Sequence, residues 1–172
     1  MITQPQPGEY APFYSGYVNA AITAGNIIQT LTRLKDSTYE LFTSIIDEQK
    51  GNYAYAPGKW TIKQLLNHMI DAERIFAFRL LCFMRGDSTA LPGFDENAYV
   101  EQSDVSNRTL QSIAAEFKAV REANIFLFKS IKDHHLSLMG VANGQPVSVR
   151  ALLFIMAGHE MHHINIIKER YL

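Results

Sequence analysis

Two histidines one helical turn apart, His159 and His163, sit in a proline-free apolar stretch running from Ser148 to Leu172. At about 100° per residue, Leu152, Ile155, Met156, Ile166 and Ile167 fall on one stripe, with both histidines in its middle. Imidazoles at i and i+4 lie one above the other and can share a metal ion. Two core histidines hydrogen-bonded to neighbours would show the same spacing, so a third ligand has to decide.

Outside that stretch the histidines are His68, His134 and His135. The last two lie in a polar connection beside Lys132 and Asp133 and read as solvated. His68 falls within an earlier helical segment, about 120° from the centre of its main apolar stripe, next to Ala72 and Ile75. A bundle helix touches two neighbours, so that flank need not be surface. Glu73 projects from the middle of the same stripe, and a buried acid needs a partner. Arg74, Arg79, Arg150 or a metal-bound water could supply it, and a structural salt bridge is its simplest role.

The run His159-Glu160-Met161-His162-His163 has the form H-E-x-x-H of zinc proteases. Those enzymes take a third ligand downstream, and here only Glu169 follows, on the far side of the helix. A third ligand must come from earlier in the chain. Glu160 then reads as a group behind the ligands or at the surface, and His162 as a flanking residue. Gly58-Lys59 lacks the spacing of a phosphate loop, with Trp60 where Ser or Thr is required.

Four segments have helical periodicity and could position these residues: 26–46, 61–84, 107–131 and 148–172. Thr61 and Gln64 have the form of a capping box, and all six prolines lie outside these segments. Residues 1 to about 17 mix Pro, Gly and aromatics and read as an irregular arm. The segments 47–60, 86–106 and 132–147 are connections, and no strand alternation stands out. Residues 86–106 are long enough to be functional or a crossover. The expected fold is all-α, a single-domain four-helix bundle, with any metal site near its axis.

The 172 residues carry a net charge of −1 and 19% charged residues, with no basic cluster to bind nucleic acid. No apolar run is long enough to span a membrane. The N-terminus lacks the features of a secretory signal, and a single Cys82 suits a reducing, cytoplasmic setting.

Residues 55–68 (YAPGKWTIKQLLNH), 70–79 (IDAERIFAFR), 91–99 (LPGFDENAY), 147–151 (VSVRA) and 158–163 (GHEMHH) resemble the DinB-like superfamily of metalloenzymes. The resemblance covers nearly the whole chain from about residue 26. It implies a four-helix bundle with a long crossover between helices 2 and 3. It also implies a divalent transition metal (zinc, nickel or iron) held by His68, His159 and His163. Similar members include transferases and isomerases that use a low-molecular-weight thiol as cosubstrate, and others described as metal-dependent hydrolases; dimers are common. The expected function is therefore a hydrolase or thiol transferase acting on a small-molecule substrate, with Trp60, Tyr99 and the crossover as pocket walls. The competing expectation is a non-catalytic metal-binding or dimerising bundle.

Overall fold

Each long helix opens at a side chain that takes over an otherwise unsatisfied backbone N–H. Asn26 accepts from the Gln29 amide, Thr61 from Gln64, Thr109 from Ser112 and Ser148 from Ala151. At Thr61 the Gln64 side chain also accepts from the Thr61 amide, completing the capping box. A computed structural model describes residues 2–172. Its helices are α1 (Ser15–Thr23), α2 (Ile27–Thr43), α3 (Glu48–Gly51), α4 (Ile62–Met84), α5 (Glu96–Gln102), α6 (Leu110–Lys129) and α7 (Val149–Ile166). A π turn, Ile167–Tyr171, ends the chain, and β1 (Met139–Ala142) pairs antiparallel with β2 (Gln145–Ser148). Among the described residues no helix is long and apolar enough to cross a membrane.

The bundle consists of α2, α4, α6 and α7. Both α6 and α7 pack against α2 and against α4, so α2 and α4 occupy opposite corners. The first turns of α4 and α6 (Ile62, Leu65, Leu110, Ile113) share one apolar cluster with Phe42 and Ile167. Their later turns (Phe76, Leu80, Ile125, Phe128) share another with Ile27, Leu31 and Leu152. Helices α4 and α6 therefore run parallel, with α2 and α7 opposed to them. Parallel neighbours need a connection as long as the bundle, which is why residues 85–109 form a crossover.

Segments outside the four bundle helices depart from the sequence reading, among them 47–60, which holds the short α3. The N-terminal segment is helical from a 3-10 turn at Pro12–Tyr14 onward, and α1 packs along α7. The sequence predicts an irregular arm up to about residue 17 because Tyr14 and Tyr17 give too short a pattern to show a period. The crossover contains α5, capped by Asp95. The last connection contains the β1–β2 hairpin, whose Asn143 and Gly144 both have positive φ (52° and 69°), as a tight hairpin turn demands. That Asn-Gly pair was the available signal. The hairpin also pairs with the crossover: the Leu91 amide donates to the Val141 carbonyl and the Asn143 amide to the Leu91 carbonyl.

Candidate metal centre

His68 comes from the second turn of α4 and faces α7, where His159 and His163 stand one turn apart. Nε2 of His159 lies 3.1 Å from Nε2 of His68 and 3.1 Å from Nε2 of His163. Among the described residues these three form the one group of His, Cys, Asp or Glu whose ligand atoms all fall within 4.8 Å of one another. The rings are 5%, 8% and 8% exposed, in the order 68, 159, 163. Burial pushes the His68 imidazole down to about 4. Burial, with repulsion from His68 and His162, takes His163 to about 3. Burial and its neighbours His163 and His68 hold His159 well below the ordinary range. All three rings are therefore uncharged at neutral pH, the state in which an imidazole has a lone pair to offer a metal.

The rings open onto a cavity of about 150 Å³ lined by Phe13, Tyr14, Tyr17, Trp60, Phe76, Phe94 and Glu96 besides the histidines. The Trp60 ring centroid is 4.8 Å from that of His68, while Tyr17 and Phe76 stand 5.6 and 5.7 Å from His159. None of the lining comes from α2 or α6. The site thus lies in the seam between α4 and α7, roofed by α1 and the crossover, and not on the bundle axis as expected. Helix α1 reaches it because Gly158 has no side chain: a Cβ there would stand 2.0 Å from the Tyr17 carbonyl oxygen.

The axis holds an ion network instead. Arg121 of α6, wholly buried, donates from Nε and Nη2 to the Glu73 carboxylate at 2.7 and 2.9 Å. Its Nη1 donates to Glu160 at 2.7 Å and to the Leu31 carbonyl at 3.2 Å. Asn124 adds a bond to Glu73, and the Thr38 hydroxyl donates to Glu160 at 2.6 Å. Burial pushes the Glu160 carboxyl up, against the opposing pull of Arg121 and Thr38.

This corrects several expectations. The partner of Glu73 is Arg121, not Arg74, Arg79 or Arg150. Glu160 is buried and turned to the axis, behind the ligands and not at the surface, which agrees with setting the zinc-protease motif aside. His162 is exposed beside His163 and Tyr17 and does not line the cavity. Tyr99 packs against Phe94 and lines a neighbouring cleft with Arg74 and Arg79, one ring behind the histidines. Of the two histidines expected to be solvated, His134 is exposed, while His135 is half-buried and its Nδ1 accepts from the Lys132 amide. Arg121, Tyr14, Tyr17 and Glu96 escaped the sequence reading. Arg121 had left a signal, falling at four-residue spacing between Phe117 and Ile125 on the buried face of α6.

The donor set suits a divalent transition metal. Zinc–nitrogen bonds of about 2.0–2.1 Å at tetrahedral angles put ligand nitrogens about 3.3 Å apart, close to the 3.1 Å spacings here. Nδ1 of His68 and of His163 is buried without a protein partner, so neither ring is committed by a hydrogen bond on its far side.

Comparison with known proteins agrees with this architecture. A profile described as the DinB superfamily matches residues 30–167. A protein of Oceanobacillus iheyensis, provisionally named a metal-dependent hydrolase, is 24% identical over 151 residues, spanning 86% of each chain. Among solved structures, YfiT from Bacillus subtilis matches with a TM-score of 0.75 at 19% identity, over 83% of this chain and 82% of that one. It is described as a probable metal-dependent hydrolase with an unusual four-helix bundle topology.

Proposed function

The chain belongs to the DinB superfamily, and from that membership and the meeting of three imidazoles in one cavity we propose that it is a metal-dependent enzyme acting on a small molecule. One observation carries the reading. His68, His159 and His163 are buried and uncharged, yet their ligand nitrogens converge where a cavity opens. Neutral imidazoles this close can satisfy one another only where one turns an N–H toward its neighbour, whereas a cation would take a lone pair from each. A divalent metal held by them would polarise a carbonyl and activate a nucleophile, its charge left uncompensated by neutral ligands. The aromatic walls give a small apolar group its contact surface. Burial raises the Tyr14 and Tyr17 hydroxyls, so both keep their protons, and both residues line the cavity.

Hydrolysis is the reaction the named relatives favour. A second cavity of about 230 Å³ favours a thiol transferase as the second reading. It shares Trp60 and His163 with the first and adds Tyr55, Lys59, Asn97 and Tyr171, leaving room for a low-molecular-weight thiol cosubstrate.

The test begins with metal analysis of purified wild type and His68→Ala. Wild type is expected to hold about one divalent ion per chain and His68→Ala to lose it. An activity screen with esters, amides and thiol–electrophile pairs follows, before and after chelation. A wild type without metal, or a His68→Ala protein that keeps it, removes the metalloenzyme reading. Bound metal with no turnover in any arm leaves a non-catalytic metal-binding bundle.

A further inference from the structure

We propose that Glu96 is the general base of this site, taking a proton from the nucleophile and returning it to the leaving group; this rests on reading the site as a hydrolase. Elimination points to it. The titratable groups facing the cavity are the three histidines, Tyr14, Tyr17 and Glu96. The imidazoles are committed as ligands, and the two phenols hold their protons. The nearby carboxylates Glu73 and Glu160 are buried on Arg121, and His162 lies outside the lining. Glu96 is the remaining proton acceptor.

Its placement fits the task. Glu96 is the first residue of α5, and Asp95 caps that helix by accepting from the Asn97 and Ala98 amides at 3.0 and 3.1 Å. The crossover leading to it is tied to the hairpin through Leu91, and Arg79 donates to the Pro92 carbonyl at 2.7 Å. Gly93 lets the crossover lie on the hairpin turn, since a Cβ there would meet the Asn143 side chain at 2.2 Å. Beyond Glu96, buried Val100 pins α5 to the body. The Glu96 charge acts on His68, Tyr14 and Tyr17. Glu96 nevertheless stays outside the 4.8 Å cluster of the imidazoles. With Glu96 lining the cavity but outside that cluster, a small nucleophile could sit between it and the histidines. Glu96 is also exposed at the rim, so it exchanges protons with solvent.

The step balances with water as nucleophile. Its O–H bond breaks toward the Glu96 carboxylate while its oxygen bonds to the substrate carbonyl carbon, and the π pair moves to the carbonyl oxygen. When that pair returns, the bond to the leaving group breaks. The leaving group departs with those electrons and takes the proton from Glu96.

Glu96→Gln decides this with two readouts. In cobalt-loaded protein the visible band is followed against pH. Removing an anion from the cavity is expected to lower its midpoint by about half a unit or more with cobalt stoichiometry unchanged. In zinc-loaded protein, hydrolysis of p-nitrophenyl acetate is expected to fall about 100-fold in kcat and to lose the acid limb of its pH profile. A midpoint that does not move, a wild-type band that does not titrate, or an unchanged rate and pH profile overturns the proposal. Loss of cobalt from Glu96→Gln also overturns it, because Glu96 would then be a ligand. Wild type that hydrolyses no ester sinks the hydrolase reading, while the cobalt midpoint still shows whether Glu96 faces the site.

Discussion

An imidazole stripped of its water shell loses more when charged than when neutral, and that asymmetry governs His68, His159 and His163. In the unfolded chain they titrate near 6.5, whereas His68 folds to about 4 and His163 to about 3. Between those values the unfolded state binds more protons, so their contribution to stability is complete above about pH 6.5 and is lost as pH falls through the folded values. Metal-free protein should therefore unfold at progressively lower urea concentration from pH 6.5 to pH 4. A His68→Ala, His163→Ala double variant should flatten that slope. An equal slope in both proteins would show that other groups set the acid limit. The His159–His163 pair was legible because both residues share one helix and one face. His68 was harder to place: α4 buries one face against α6 and another against α7, so a ligand facing α7 falls off the main stripe. Glu96 left no periodic signal, because its position is fixed by the hairpin and not by its own neighbours.

At the scale of elements, the helices meet around charge as well as apolar surface. Arg121 of α6 joins Glu73 of α4 to Glu160 of α7 and also binds a carbonyl of α2, so one side chain touches all four bundle helices. Removing it leaves two buried carboxylates without their cation, a change that costs about 3–5 kcal/mol. Arg121→Ala should lose that much in urea unfolding; a loss under about 1 kcal/mol would mean that the network relaxes around water. The α1–α7 contact rests on Gly158. Alanine is the better helix former by about 1 kcal/mol, but its Cβ would collide with the backbone of Tyr17. Gly158→Ala should therefore speed hydrogen exchange in residues 15–23 while α4 and α6 stay protected; uniform protection would show α1 tolerating the displacement. The four bundle helices could be read from periodicity and caps because their information is local. Helix α1 could not, since only its contact with α7 makes it a helix worth keeping, and the ring order of the bundle depends on pairings between segments far apart in the chain.

For the whole molecule, the position of the site relative to the two apolar clusters decides what a metal does for stability. One cluster gathers the ends of α4 and α6 with the start of α7, the other their beginnings with the end of α7, and neither includes the histidines. The chain has enough apolar burial at both ends to stay folded without metal, unlike small domains that unfold when metal is withdrawn. An ion bound by His68, His159 and His163 would join α4 to α7 between those clusters and act only on the folded state. Such binding adds about 2.7 kcal/mol at a free concentration a hundredfold above Kd. At about 2–4 °C per kcal/mol for a chain of this size, that is a rise of roughly 5–10 °C in Tm. Thermal unfolding with zinc and with chelator should show two cooperative transitions separated by that interval in wild type. In His68→Ala the two should coincide. A chelated wild type without a cooperative transition would mean that the clusters do not hold the bundle alone. A zinc-dependent rise that survives in His68→Ala would move the binding site elsewhere.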